Sequence, residues 1–196
     1  MPLLRKEPFS AKGFLGRFRR VVSAILTQHR KRIVVVRQLR DDDLQEAFAP
    51  REMALGREWL ARQERGDMYI AVAEVNGALV GRNCLDFNKA GDPKDGYLFA
   101  GTVLREWRSK GIGSRLVAHL EQVAISRGFK SIRTATAKTN SRALSWLERQ
   151  GYHRVGEGLV RWKDADGRDV EVDCWKLKRS LRTSAWRRLR TWLRSE

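Results

Sequence analysis

Cysteine is nearly absent: Cys84 and Cys174 are the only two in 196 residues. Two thiols so far apart make no disulfide framework, which in small secreted domains takes several cysteines at tight spacing. No cluster of Cys and His shows the spacing of metal ligands. The expectation is two buried, inert thiols, no metal, and a reducing, cytoplasmic setting. Long hydrophobic runs are missing too. The longest early one, residues 21–26, falls far short of the roughly 18 apolar residues of a membrane span. Arginines crowd it, unlike the apolar centre of a secretory signal. His29, His119 and His153 stand in no triad-like setting. No Pro-rich or Gly/Ser-rich linker divides the chain, and no repeat with a period of 20–50 residues is present.

What the sequence has in excess is positive charge: 40 Lys/Arg against 23 Asp/Glu, a net +17. The distribution is uneven. Residues 1–32 carry +8, residues 179–196 carry +5, and the long middle carries only +4. With 42% apolar and 32% charged residues, the length suits one globular domain with appendages. The division that follows is a basic amphipathic extension over 1–32, a domain over 33–181, and a basic amphipathic helix over 182–196. Phe14, Leu15, Phe18, Val21, Val22, Ile25 and Leu26 lie on one helical stripe. Trp186, Leu189 and Leu193 do the same in the tail. These helices either pack on the domain with their arginines solvated or meet an anionic partner. An anionic membrane surface, contacted through residues 14–26 and 184–194 at its inner, cytoplasmic side, is the first such partner. Nucleic acid is the second. A homodimer stays open.

The middle reads as alternating elements. Residues 33–39 are a β-branched strand, after which Asp41, Asp42 or Asp43 offers a helix cap. Pro50 opens a second helix that runs past Trp59 and Leu60 to a stop near Gly66. Met68–Val75 and 78–87 form a hairpin about Asn76-Gly77. Residues 88–96 (NKAGDPKDG) are turn formers and read as a loop, and 97–104 are a third apolar strand. A long helix then carries Ile112, Leu116, Leu120 and Val123 on one face, flanked by Val117 and Ala124, and stops at Gly128. Ser131–Ala137 is a strand, 140–150 a helix closed by Gly151, and 152–162 and 170–177 are strands joined at Asp166-Gly167. Three consecutive strands before the long helix exclude a strictly alternating parallel fold. The order predicts an α/β protein of α+β type: a mixed, mostly antiparallel sheet of six to seven strands with helices on both faces.

One segment carries chemistry. Tyr97 to Leu120 is an apolar strand, a charged turn with two glycines, and an amphipathic helix. The turn Arg108-Ser109-Lys110-Gly111-Ile112-Gly113 sets backbone amides at a helix start, where they lack intrahelical partners. The helix dipole adds positive potential there. Glycine lets a bulky anion come close to the backbone, and Arg108 and Lys110 add full charges. This is a phosphate site, yet its spacing matches neither the P-loop nor the dinucleotide fingerprint. The pattern Arg-x-x-Gly-x-Gly at Arg108, Gly111 and Gly113 resembles the pyrophosphate turn of the GNAT superfamily of N-acetyltransferases. Asn140, Ala143, Gly151 and Tyr152 resemble its second motif, at the usual spacing. The resemblance extends over residues 33–181.

The resemblance implies a GNAT-like acyl-CoA fold and an acetyl transfer from acetyl-CoA, as co-substrate, to an amine of unknown class. In that scheme the backbone near Val103 pairs with the pantetheine arm. Amides of Arg108, Ser109, Lys110, Gly111, Ile112, Gly113 and Ser114 hold the pyrophosphate, and Asn140 contacts the CoA arm. Gly101 marks a bulge, and its amide polarises the thioester carbonyl. Transfer is direct, in a ternary complex. The chain departs from the family pattern at two places. Leu147 occupies the usual position of a tyrosine acid, and Tyr97 that of a carboxylate base. Tyr97 and Asp86 are therefore the catalytic candidates beside Gly101, with Asp173 a third carboxylate. The departures keep an alternative open: a non-catalytic acyl-CoA-binding or scaffold protein whose basic ends bind a membrane or nucleic acid. Helices within 41–66 are expected to wall the acceptor site.

Overall fold

The computed structural model describes residues 33–163 and 168–181. The amphipathic helices expected over 14–26 and 184–194, the extensions 1–32 and 182–196, and the Asp166-Gly167 turn lie outside the described residues. Seven strands, β1 (Val34–Gln38), β2 (Met68–Val75), β3 (Ala78–Asp86), β4 (Asp95–Val103), β5 (Ser131–Ala137), β6 (His153–Lys163) and β7 (Asp169–Ser180), form one sheet in the order β1-β2-β3-β4-β5-β7-β6. The helices are α1 (Leu44–Ala47), α2 (Met53–Glu64), α3 (Ile112–Ser126) and α4 (Ser141–Arg149). Short 3-10 turns at Asp41–Asp43 and Pro50–Glu52 lead into α1 and α2. β4 and β5 pair parallel, and every other neighbouring pair is antiparallel. The mixed sheet follows the sequence expectation. None of the described helices is long and apolar enough to cross a membrane.

Period-two alternation builds the layers. On β2, Met68, Ile70 and Val72 pack with Leu44, Phe48 and Leu60 of the α1–α2 layer. Ala71, Ala73 and Val75 pack with Ile112, Leu116 and Leu120 of α3 and Leu144 and Leu147 of α4. The sheet is thus covered on both faces, each fully buried Leu or Ile contributing about 1.5–3 kcal/mol. At the β2–β3 hairpin Asn76 (φ 51°) and Gly77 (φ 81°) both take positive φ, as a type I′ turn requires.

The structure shifts two strand boundaries and one helix face. The expected loop 88–96 loses its end to β4, because Asp95 and Gly96 pair with Ser131 and Ile132, partners invisible locally. Likewise β7 runs on to Ser180 because β5 accepts it in register to Ser131. On α3, Glu121 is buried and pairs with Arg179 at 2.6 Å, while Val123 is only half-buried. A partner on another strand turns the helix relative to its apolar stripe. Both thiols are buried and free, and burial pushes Cys84 up to about 12.

Candidate active site

The site begins where the parallel pair ends. β4 and β5 match only at Asp95–Ser131, Gly96–Ile132 and Tyr97–Arg133. Beyond these rungs the Thr134 hydroxyl donates to the Leu98 carbonyl at 2.9 Å, a side chain standing where backbone would pair, and the strands part. On its other side β4 stays paired to β3 as far as Val103–Gly81. The Leu104 amide donates to the Val80 carbonyl of β3, so Val103 turns its own carbonyl to the opening. There it accepts from Arg108 Nε at 3.0 Å. Gly101 and Thr102 are exposed along this edge.

A bulge lies at the opening. Cys84 pairs with Phe99 and Arg82 with Thr102, so Asn83 alone faces Ala100 and Gly101. The residue with the unusual backbone is Ala100, at φ 54°, not the glycine that marked the bulge in the sequence. Gly101 is needed for room: a Cβ there would stand 3.1 Å from the buried Asn83 carboxamide. A left-handed alanine costs about 1 kcal/mol, and such strain collects at functional sites.

Asp95 pins the closed end. It is buried and accepts from Arg133 Nε at 2.6 Å, from Lys178 Nζ at 2.8 Å and from the Ser131 hydroxyl. Burial pushes its carboxyl up, but the bonds from Lys178, Ser131 and Arg133 outweigh that and hold it at about 2.

The anion turn follows a 3-10 turn at Arg105–Trp107. Ser109 (φ 61°) and Gly111 (φ 79°) are left-handed. No side chain caps α3, so by helix geometry the amides of Ile112, Gly113 and Ser114 have no carbonyl one turn back. Lys110 Nζ stands 4.9 Å from the Trp107 ring. The two glycines serve different ends. Gly111 has open space around its missing Cβ and is required by its dihedral; Gly113 lets α3 approach α4, where a Cβ would meet Trp146 Cζ2 at 3.2 Å.

Asn140 caps α4: its Oδ1 accepts from the Ala143 amide at 3.0 Å. Asn140→Ala is expected to cost about 1 kcal/mol of stability, and Asn140→Asp, which keeps the acceptor, to cost far less. Urea midpoints of the two variants measure this. Leu147, 5% exposed, belongs to the α3–α4 core and offers no proton. Tyr97 is half-buried; burial first, then the Cys174 thiol, pushes its phenol up, so it stays protonated at neutral pH and is no base there. Asp86, the carboxylate candidate on β3, is an anchor in this structure. It is buried, pairs with Arg62 at 2.7 Å, and accepts from the amides of Asn88 at 2.9 Å and Lys89 at 3.0 Å. Asp173 pairs with Lys138 at 3.0 Å. His119 of α3 lies 2.9 Å from the Tyr69 hydroxyl of β2.

The α1–α2 layer reaches β4 through aromatic rings. Phe48 and Trp59 lie 5.8 Å apart, Trp59 and Phe99 5.1 Å, both edge to face. These rings join the 41–66 segment to β4 at Phe99, one residue before the bulge. A cleft of about 530 Å³ lined by Asp67, Phe87, Asp92 and Phe129 opens at the other end of the sheet, where β4 begins.

The model of the acetyltransferase (GNAT) family matches residues 33–152. No curated protein matches the chain. Among solved structures, the ribosomal-protein-alanine N-acetyltransferase of Brucella melitensis is 19% identical at a TM-score of 0.60, over 74% of this chain and 99% of that one. An N-acetyltransferase from Staphylococcus aureus Mu50 is 16% identical at a TM-score of 0.62, over 76% and 99%. The ribosomal-protein-S18-alanine N-acetyltransferase of Escherichia coli is 18% identical at 0.58, over 76% and 94%. At these identities the likeness is one of fold.

Proposed function

The chain belongs to the acetyltransferase (GNAT) family, and from that premise we propose that it transfers an acetyl group from acetyl-CoA to the nitrogen of an amine, both substrates being bound together. The observation that carries this is the parting of β4 from β5 after Tyr97–Arg133, with a bulge on one side of the opening and the uncapped start of α3 near it in sequence. The thioester supplies an activated acyl group. The residues present fit it. The Val103 backbone faces the opening, as an extended amide chain requires, once Arg108 releases its carbonyl. Bare amides at Ile112, Gly113 and Ser114, with Arg108, Ser109, Lys110 and Gly111, suit a diphosphate. Asn140 spends its Oδ1 on the helix cap, leaving its Nδ2 as the group for the CoA arm. The Gly101 amide is the donor for the acyl oxygen, a role worth about 2.7–4 kcal/mol per donor in comparable sites.

Proton handling is lean. A lysine-like amine with a pKa near 10.4 must lose a proton before it attacks. Tyr97 is held as a phenol and Asp86 is committed to Arg62 and two amides, so water carries that proton away. With Leu147 in the core, the thiolate leaves without a side-chain acid, which free thiols near pKa 8.5 tolerate.

Calorimetry with acetyl-CoA and thiol release against an amine panel, including a peptide with N-terminal alanine, test the proposal. Binding and amine-dependent release are expected; absence of heat with acetyl-CoA ends it. The buried Leu147 favours one rival, a non-catalytic acyl-CoA-binding protein, which binding without release under every amine would identify.

A further inference from the structure

We propose that the acceptor amine carries an anionic group, received by Lys89 at the rim of an aromatic shelf made by Tyr97, Phe99 and Trp59; this rests on the acetyltransferase reading. Tyr97 and Phe99 are two apart on β4 and so share a face. That face is turned away from α3, because Leu98 between them belongs to the α3 core. Their rings lie 6.4 Å apart, and Trp59 meets Phe99 edge-on at 5.1 Å. All three are half-buried, which leaves apolar surface open beside the bulge.

Lys89 Nζ stands 5.1 Å from the Tyr97 ring and 5.4 Å from the Phe99 ring. It has no carboxylate partner among the described residues. Two acids lie three residues away in sequence: Asp86 is taken by Arg62 at 2.7 Å and by main-chain amides, that of Lys89 included, and Asp92 accepts from the Lys94 amide at 2.9 Å. The other acids on this face are engaged as well. Glu52 holds Arg82 at 3.2 Å, and Asp95 holds both Arg133 at 2.6 Å and Lys178 at 2.8 Å. Cations exceed anions here, so the local field repels a purely cationic amine and draws an anion. Tyr97 and Phe99 precede Ala100 by three and one residues, so the anion sits about 3–10 Å along the strand from the bulge at a rise near 3.3 Å per residue. The fitting acceptor is an amphipathic amine: nitrogen at the opening, a planar or apolar middle on Phe99 and Trp59, and a carboxylate or phosphate a few bonds away on Lys89.

The test uses the full chain and four probes: 4-(aminomethyl)benzoate, its methyl ester, benzylamine and 4-(aminomethyl)phenylphosphonate. Thiol release is measured for each, and their binding to the CoA-loaded protein by calorimetry. The benzoate is expected to exceed its ester by about fivefold in kcat/KM and in affinity, the effect of one partly exposed ion pair. Lys89→Gln should level that ratio, Lys89→Arg should keep it, and the KM for acetyl-CoA should not move in either. Comparison of phosphonate with benzoate identifies the anion. An ester as good as the acid, or a ratio untouched by Lys89→Gln, overturns the proposal, as does failure of every probe to bind. Should acetyl-CoA bind and no amine be acetylated, the enzyme proposal fails by itself, and the Lys89 assignment is still decided by the calorimetric ratio.

Discussion

Asp95→Asn is expected to remove about 3–5 kcal/mol of stability, the usual cost of deleting one partner from a buried charge network. The carboxylate is buried under Arg133, Lys178 and Ser131, which come from β5 and β7. Its loss leaves two cations and a hydroxyl short of an acceptor at the closed end of the strand opening. The same group gives a pH signature. Its folded pKa, about 2, lies below the ordinary carboxylate value of 3.8, so the folded state binds fewer protons and the carboxylate stabilises at neutral pH. That contribution, about 2 kcal/mol from the difference in pKa, is complete well above pH 4 and is lost as pH falls through the window from 3.8 to about 2. Urea unfolding at pH 7 and at pH 3 checks both points. The wild type should lose stability on acidification by more than Asp95→Asn does, and equal urea midpoints for the two proteins at pH 7 would refute the assignment.

Gly111→Val is expected to weaken acetyl-CoA binding by about tenfold or more. Gly111 is left-handed at φ 79° and has nothing within 4 Å of its missing Cβ, so the effect comes from the backbone and not from a clash. An L-residue in that conformation costs about 1–2 kcal/mol, and more when β-branched, and 1.4 kcal/mol is a factor of ten in affinity. A turn that relaxes to negative φ swings the Ile112 and Gly113 amides away from a common anion. Gly113→Val should behave differently. Its Cβ meets Trp146 at 3.2 Å, so the main loss is stability, about 1–3 kcal/mol from overpacking. Calorimetry for affinity and urea for stability separate the two. A folded Gly111→Val protein with unchanged affinity would take the turn out of the cofactor site.

Element types and order were legible in the sequence because they are set locally. Strand alternation on Met68–Val75, the helical stripe from Ile112 to Leu120, the Asn76-Gly77 hairpin and the turn at Gly111 each follow from where side chains point and which φ a residue tolerates. The anion turn was legible for the same reason. Other site features were less legible. Gly101 pointed to the bulge, but the left-handed residue is Ala100, since the extra residue is set by register against Asn83. Asp86 looked available because nothing in its neighbourhood announces Arg62. Asp95 sits in a run of turn formers and carries no local sign of its role. The aromatic shelf joins Trp59 of α2 to Tyr97 and Phe99 of β4, with no periodicity to link the helix to the strand. An acid four residues after a β3 cation, or aromatics two apart on the strand before the turn, were the only available hints.

By itself the sequence determined the elements, their order and the glycine turn before α3, all products of short-range dihedral and periodicity constraints. Only the tertiary structure decided where β4 leaves β5, which carboxylates are already spent, and which aromatic rings meet across the α2–β4 contact. The Arg62–Asp86 and Lys178–Asp95 pairings join residues 24 and 83 positions apart, and no local pattern encodes a contact whose partner is chosen by the folding of the whole sheet.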